Sequence, residues 1–346
     1  MSPTSEHFWT AISPVRSWRE FLGLGPVGPR PLPVPTANVP LPRDCLPAVP
    51  VSPSAASALS TFLNVHYRTG SGAQGPIYTI SGPELRWYLE EEIMNGMLIY
   101  NSDRSALVGC CLSRQLGVLV GAEGPTEISL RLISEFCVRQ DRRGSGIASY
   151  LLSELLRYLR PETSYIFLKE GAPLPGAGPP LYSGQWVYRR VKRGERKNRC
   201  RVQRLDLYGA VRTAWHFGRH RQQMIINRPE RAHPKSTRSY LYRGFRGSIL
   251  LNVSPAGQVH PQDGREIAYM TGWVEDGELL DQERRDAALG ASAAAARDFN
   301  APWIWFDAEA VGPLSNQSVW KADGPYHWYA FGWTPGAKKN SVFLFI

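Results

Sequence analysis

Ile133-Ser-Glu-Phe-Cys-Val138, Arg139-Gln-Asp-Arg-Arg-Gly-Ser-Gly146 and Ile147-Ala-Ser-Tyr-Leu-Leu-Ser-Glu-Leu-Leu-Arg-Tyr-Leu159 follow one another in this chain, and their reading decides its fold. The first piece is an apolar strand candidate. The third places Ile147, Leu151, Leu152, Leu155, Leu156 and Leu159 at i, i+4, i+5, i+8, i+9 and i+12, one broad apolar stripe of a helix. A strand that ends in a glycine-rich turn opening a helix aims backbone N–H groups outward, and the helix dipole adds positive potential there. That arrangement suits a pyrophosphate, with Arg142 and Arg143 adding formal charge beside it. It is not a P-loop, because no Gly-Lys-Ser/Thr follows, and it lacks the third glycine of the dinucleotide fingerprint.

Working outward, residues 57 to 160 alternate helix and strand signals. Ala58 to Tyr67 reads as a helix, and Pro83 to Leu89 as another capped by Ser81. Met97–Tyr100, Ala106–Leu112 and Leu116–Val120 read as three strands of an antiparallel meander, and Tyr165–Leu168 as a strand after the long helix. A second block from about 240 offers strands at Ser248–Val253, Glu266–Trp273, Trp303–Phe306, Trp328–Trp333 and Ser341–Ile346, with a helix from Leu279 to Phe299. The similar content of the two blocks suggests a duplicated unit. Residues 25 to 54 hold ten of the 28 prolines, so this stretch is extended, as a strap over the surface or a linker.

With 346 residues and 43% hydrophobic side chains, the chain can bury a large core, as two domains or one fused sheet. Forty Lys+Arg against thirty Asp+Glu leave a net charge of +10, which favours an anionic partner. No apolar run approaches the ~20 residues of a transmembrane helix, no secretory signal opens the chain, and five cysteines lack zinc-type spacing. A soluble, cytoplasmic protein without a structural metal is expected, with Cys110 and Cys111 as core filler. Tyr188 to Arg204 carries nine Lys/Arg in seventeen positions, which fits a solvated strand pair or a membrane-facing rim better than nucleic-acid binding, since no nucleic-acid module accompanies it.

The run Arg143-Gly144-Ser145-Gly146-Ile147-Ala148 after a strand resembles the coenzyme A loop of the GNAT acyltransferase superfamily. Glu135-Phe136-Cys137-Val138 before it and Leu174-Pro175 after the next strand resemble N-myristoyltransferase, and other stretches are similar to that family in the same order. They are Phe8-Trp9 with Pro14-Val15, Gly25-Pro26-Val27-Gly28-Pro29, Asn64 with Tyr67, Pro83-Glu84-Leu85 with Trp87, Leu107-Val108-Gly109, Asp323-Gly324, Trp333 and Phe343–Ile346. The likeness spans nearly the whole chain and is thin from about 209 to 265.

The resemblance implies an α/β fold of the α+β type, with two fused GNAT-like halves around a mixed, saddle-shaped sheet. It divides the chain into an N-terminal strap (1–56), an acyl-CoA-binding half (57–208) and a shortened peptide-binding half (209–346). It also implies a monomer that transfers myristate from myristoyl-CoA to the N-terminal glycine amine of a protein or peptide. That chemistry needs a thioester carbonyl polarised by amides, a neutral amine and a base for its proton. By position the amides belong to Glu135 and Phe136, and the base is the α-carboxylate of Ile346, at the end of an apolar strand. The cofactor would meet Val138, Arg143, Gly144, Ser145, Gly146, Ile147 and Ala148, with Phe8 and Trp9 closing over it. Tyr78, Ser134, Lys169, Trp186 and Phe345 would face the acceptor.

The chain departs from the family at several places. Thr69-Gly70-Ser71-Gly72-Ala73-Gln74-Gly75 stands where the family has an acidic loop, Lys169 replaces a threonine, and Ser134 replaces an asparagine. These departures keep two other readings open. One is a GNAT N-acyltransferase using a different acyl chain or amine, and the other is an inactive relative that binds acyl-CoA or nucleic acid.

Overall fold

The computed structural model describes residues 28–29, 39–67, 76–120, 126–159, 164–173, 180, 182–195, 202–218, 223–227, 237–313, 319–331, 333–334 and 342–345. The proline-rich segment contributes two brief strands, β1 (Gly28–Pro29) and β2 (Val49–Pro50). Helix α1 (Ala56–His66) buries Leu59, Phe62 and Leu63, and β3 (Ile77–Tyr78) follows. Helix α2 (Gly82–Glu90) starts at Ser81, whose hydroxyl accepts from the Glu84 amide at 3.3 Å, so the sequence-predicted cap is made.

A first run of β4 (Met94–Tyr100), β5 (Leu107–Val120) and β6 (Thr126–Val138) pairs antiparallel in sequence order. Helix α3 (Ile147–Tyr158) then crosses over to β7 (Ser164–Glu170), which lies parallel to β6. The apolar stripe of α3 is buried throughout, from Ile147 through Leu151, Leu152 and Leu155 to Leu156. Next come β8 (Tyr182–Arg190), β9 (Val202–Leu205), α4 (Leu207–Gly218) and β10 (Gln223–Asn227).

The same succession then recurs. Strands β11 (Arg238–Arg243), β12 (Gly247–Val259) and β13 (Glu266–Gly277) pair antiparallel, helix α5 (Asp281–Asp298) crosses, and β14 (Trp303–Asp307) lies parallel to β13. Helix α5 packs through alanines, with Ala287, Ala288, Ala291 and Ala293–Ala296 buried, so its backbone can approach the sheet closely. The chain continues through α6 (Ala308–Val311), β15 (Lys321–Phe331), β16 (Trp333–Thr334) and β17 (Val342–Phe345).

An exchange fuses the two runs into one mixed sheet. Strand β8, which follows the first run, pairs with β14 of the second, and β15, which follows the second run, pairs with β7 of the first. Strands β8 and β15 then pair with each other, giving the order β6-β7-β15-β8-β14-β13 at the centre. On the outer side of β5, β10 pairs antiparallel with it and β17 runs parallel to β10. The α/β fold with a mixed sheet, expected from the sequence, is the one observed.

One local expectation is corrected. The stretches expected as separate strands at 106–112 and 116–120 belong to a single strand, β5 (Leu107–Val120), rather than to two strands of a meander. Ser113, Arg114 and Gln115 stay in register with Ile133, Leu132 and Arg131, so the polar interruption is not a turn. Arg131 explains why polar side chains can sit there: its guanidinium donates to Ser113 Oγ at 2.9 Å and Asn95 Oδ1 at 2.7 Å. Among the described residues no helix is long and apolar enough to cross a membrane.

Candidate active site

The site is built where β6 leaves its neighbours. Against β5 the register passes from Ser113↔Ile133 to Cys111↔Phe136, so β6 carries one extra residue, a bulge at Ser134–Glu135. Against β7 the pairing stops at Ile133↔Phe167. Past that point the backbone from Ser134 to Val138 has no described strand beside it on the β7 side, so backbone groups there can meet a ligand. Alternation places Phe136 towards Phe167, with ring centroids 6.4 Å apart, while Glu135 turns to the opposite face and accepts from Tyr78 Oη at 3.2 Å.

Beyond Val138 the glycine turn takes the shape that its composition requires. Gly144 and Gly146 have φ of 78° and 82°, and a Cβ at either would meet no atom within 4 Å, so their conformation rather than crowding demands glycine. Gly146 precedes the first turn of α3, and residues 143–146 and Ala148 are exposed while Ile147 is buried. Two arginines tie the turn down. Arg143 Nε donates to the Val138 carbonyl at 3.2 Å and its Nη2 to the His66 carbonyl at 3.3 Å, and Arg142 Nη2 donates to the Arg43 carbonyl at 2.8 Å. Ser145 Oγ closes the loop onto the Arg142 carbonyl at 2.6 Å.

The second run repeats the device. Strand β13 carries a bulge at Thr271, between Val253↔Met270 and Asn252↔Gly272, and its pairing with β14 stops at Tyr269↔Trp305. A pocket of about 40 Å³ lies there, lined by Tyr269 to Trp273 of β13 together with Leu168, Tyr182, Trp186, Tyr326 and Trp328. Trp186 stacks on Tyr326, with ring centroids 4.1 Å apart. Behind them Asp307 is fully buried and organises the wall. Its Oδ2 accepts from Tyr182 Oη at 2.9 Å and from Tyr326 Oη, and its Oδ1 accepts from the Glu309 amide at 2.6 Å. Burial pushes the Asp307 carboxyl up despite these donors. Gly184 is needed here, because a Cβ would stand 2.4 Å from Asp307 Oδ2.

Of the residues expected from the sequence, Glu135, Phe136, Val138 and the 143–148 turn form one continuous rim, with Ser134 and Tyr78 beside it. Trp186 lies across the sheet in the aromatic pocket. Lys169 stands in register with His327, shares the Phe167 side of β7 by alternation, and gives its ammonium to the Glu170 carbonyl. Phe345 is in β17, which runs beside β13. Phe8, Trp9 and Ile346 lie outside the described residues. The Asp307–Tyr182–Tyr326 cluster has no local signature, since its members come from three strands that meet only through the exchange of β8 and β15.

The basic run is partly spent on internal pairs. Arg189 is buried, pairs with Glu195 and lies 5.6 Å from the Trp320 ring, Arg190 pairs with Asp263 at 2.9 Å, and Arg204 lies 3.6 Å from Asp298. Cys45, Cys110, Cys111 and Cys137 are buried free thiols, and burial pushes Cys137 up to about 12.

A bulged strand, a splayed neighbour and a crossover helix thus occur twice in one mixed sheet, as a duplicated α/β unit. The chain has the fold of N-myristoyltransferase. It superposes on a Saccharomyces cerevisiae N-myristoyltransferase with bound myristoyl-CoA with a TM-score of 0.61 over 96% of this chain and 94% of that one, at 12% identity. A second structure of the yeast protein, with myristoyl-CoA and inhibitors, gives 0.63 over 97% and 91%, also at 12% identity. No protein-family model and no curated protein sequence matches the chain.

Proposed function

We propose that this protein is a CoA-dependent N-acyltransferase that moves a long-chain acyl group, myristoyl by preference, from acyl-CoA to the N-terminal glycine amine of a protein or peptide. The observation that carries the reading is the exposed 143–148 turn at the head of α3, one strand-end away from the β6 bulge. The turn offers backbone N–H groups and the positive end of a helix to the CoA phosphates. The bulge offers the amides of Glu135 and Phe136 to the thioester oxygen, where negative charge grows as the amine attacks. Preset amides of this kind contribute about 3–4 kcal/mol to the barrier when one is removed. The aromatic pocket at Trp186 and Tyr326, across β15 from this rim, would receive the acceptor chain, with Tyr78 and Ser134 nearer the reacting amine.

The myristoyl-CoA carried by the yeast protein of the same fold supports the choice of donor. The test is incubation with myristoyl-CoA and a glycine-initiated peptide, followed by mass spectrometry. One acyl group added at the peptide's N-terminus is the expected result. Acyl-CoA that stays intact with that peptide and with a panel of other primary amines overturns the reading.

A further inference from the structure

The pocket beside the β13 bulge is walled by Tyr182, Trp186, Tyr269, Trp273, Tyr326 and Trp328, and none of the described residues lining it is charged. In a chain of net charge +10 it is an aromatic box without a cation. It opens to solvent, since Tyr182, Tyr269 and Trp328 are only half-buried. Trp186 and Tyr326 are stacked, and Tyr182 is tilted 39° to Tyr326 with centroids 6.0 Å apart, so the rings meet as a corner rather than one flat wall. At about 40 Å³ the pocket has roughly three times the room that one water needs, which suits the head of a side chain and not a whole cofactor.

Negative charge stands behind the rings. Asp307 Oδ2 accepts the O–H groups of Tyr182 and Tyr326, and Tyr182 Oη also lies 3.1 Å from Glu309 Oε2. Burial first, then Asp307, push both phenols up, with Glu309 adding to Tyr182, so both rings keep their protons and remain donors. Burial pushes Tyr269 up too, with Glu135 and Glu170 adding and Arg114 opposing. The face of an aromatic ring is its negative part, and a phenol bonded to a carboxylate is polarised further in that sense. The pocket therefore attracts a cation through its rings.

Its lining also selects the kind of cation. A bare ammonium must find acceptors for three N–H groups, and the lining side chains offer no carboxylate. Asp307 and Glu309 are reached only through the phenols, the indoles only donate, and Thr271 Oγ1 already accepts from Asn252 Nδ2 at 3.0 Å. A fully methylated nitrogen has no N–H to satisfy and spreads its charge over methyl groups that pack on ring faces. A phosphocholine headgroup suits the pocket less, because its phosphate would meet no cation in the lining.

We propose that this pocket is an aromatic cage for a methylated ammonium group, carried on a trimethylated lysine of the acceptor chain; the choice of the acceptor as carrier rests on the acyltransferase reading above. Trp186 and Tyr326 are then residues that set acceptor specificity, and the Asp307 network behind them holds the rings in place.

Titration of the protein with choline, with its uncharged isostere dimethylbutanol and with ethanolamine, read by tryptophan fluorescence, tests the cage. Choline binds about tenfold tighter than either, and Trp186→Leu removes that preference with circular dichroism unchanged. Equal affinities for all of these, or no binding, overturn the inference, and the wild-type arm decides this even if Trp186→Leu fails to fold. Transfer from myristoyl-CoA to glycine-initiated peptides carrying one lysine at successive positions, bare or trimethylated, tests the carrier. Trimethylation at one position lowers KM by about tenfold and leaves kcat within about twofold. A KM that trimethylation moves at no position overturns the assignment to the acceptor, and choline-sensitive binding to phosphatidylcholine vesicles would then give the cage to a lipid headgroup. Choline binding by a protein that acylates no peptide leaves the cage standing and overturns the acyltransferase reading.

Discussion

Replacing Gly146 by alanine tests, at a single atom, the phosphate-binding role proposed for the turn. Its φ of 82° lies in the left-handed region, and an added Cβ would touch nothing within 4 Å, so no collision accompanies the change. The whole effect is conformational, about 1–2 kcal/mol for an L-residue held there. Because the turn is exposed and its arginines tie it to carbonyls and to Cys45 Sγ through their side chains alone, the free variant relaxes towards negative φ. Acyl-CoA must then restore the turn to reach its N–H groups, and the same 1–2 kcal/mol appears as a roughly 5- to 30-fold weaker affinity. Calorimetric titration of wild type and Gly146→Ala with myristoyl-CoA reads this directly. Gly194→Ala is the control, as Gly194 also has open space around its Cβ position but no positive φ. Equal affinities for Gly146→Ala and Gly194→Ala would refute the role assigned to the turn.

Asp307→Asn keeps the acceptor for the Glu309 amide but puts an NH₂ where two phenols donate; about 3 kcal/mol of stability should go, roughly 4 °C in the melting midpoint at 346 residues, and an unchanged midpoint would contradict the network. Leu151→Ala empties a fully buried place between α3 and β5, and denaturant unfolding should show a loss of about 2–5 kcal/mol. His260, stacked on Trp303 at 3.8 Å, and His327, bonded to Ser183 Oγ at 2.9 Å, are both lowered by burial, with Arg190 and Lys169 respectively adding to the shift. The unfolded chain therefore binds more protons than the folded one just below the ordinary value of 6.5, so stability is full above it and declines as pH falls through the lowered values, and NMR titration of the two rings should find both midpoints below 6.5.

What the sequence made legible was local. The α3 stripe, the Ser81 cap and the glycines of the 144–146 turn each announce themselves within a few residues, because helix period, capping and positive φ are properties of neighbours in the chain. The joining of 106–112 to 116–120 was not legible, because Arg114 and Gln115 look like a turn until Arg131 of the adjacent strand supplies the partner for Ser113. Residues 207–218 form a helix in the stretch where the family likeness is thin. The exchange of β8 and β15 escaped altogether: it depends on pairing between strands more than a hundred residues apart, and with it went the Asp307 cluster. Glu135 could be named from its place before the turn. That its carboxylate accepts from Tyr78 is a contact between residues 57 apart in the chain, which periodicity does not reveal.

The most direct test of the central claim is isothermal calorimetry of the purified protein with myristoyl-CoA and, in parallel, acetyl-CoA. Binding of both is expected from the turn, with the long chain tighter: at about 0.8 kcal/mol per buried methylene, burying two beyond the acetyl group already gives about a tenfold difference. Equal affinities would contradict the long-chain assignment, and no heat with either ligand would contradict the acyl-CoA site itself.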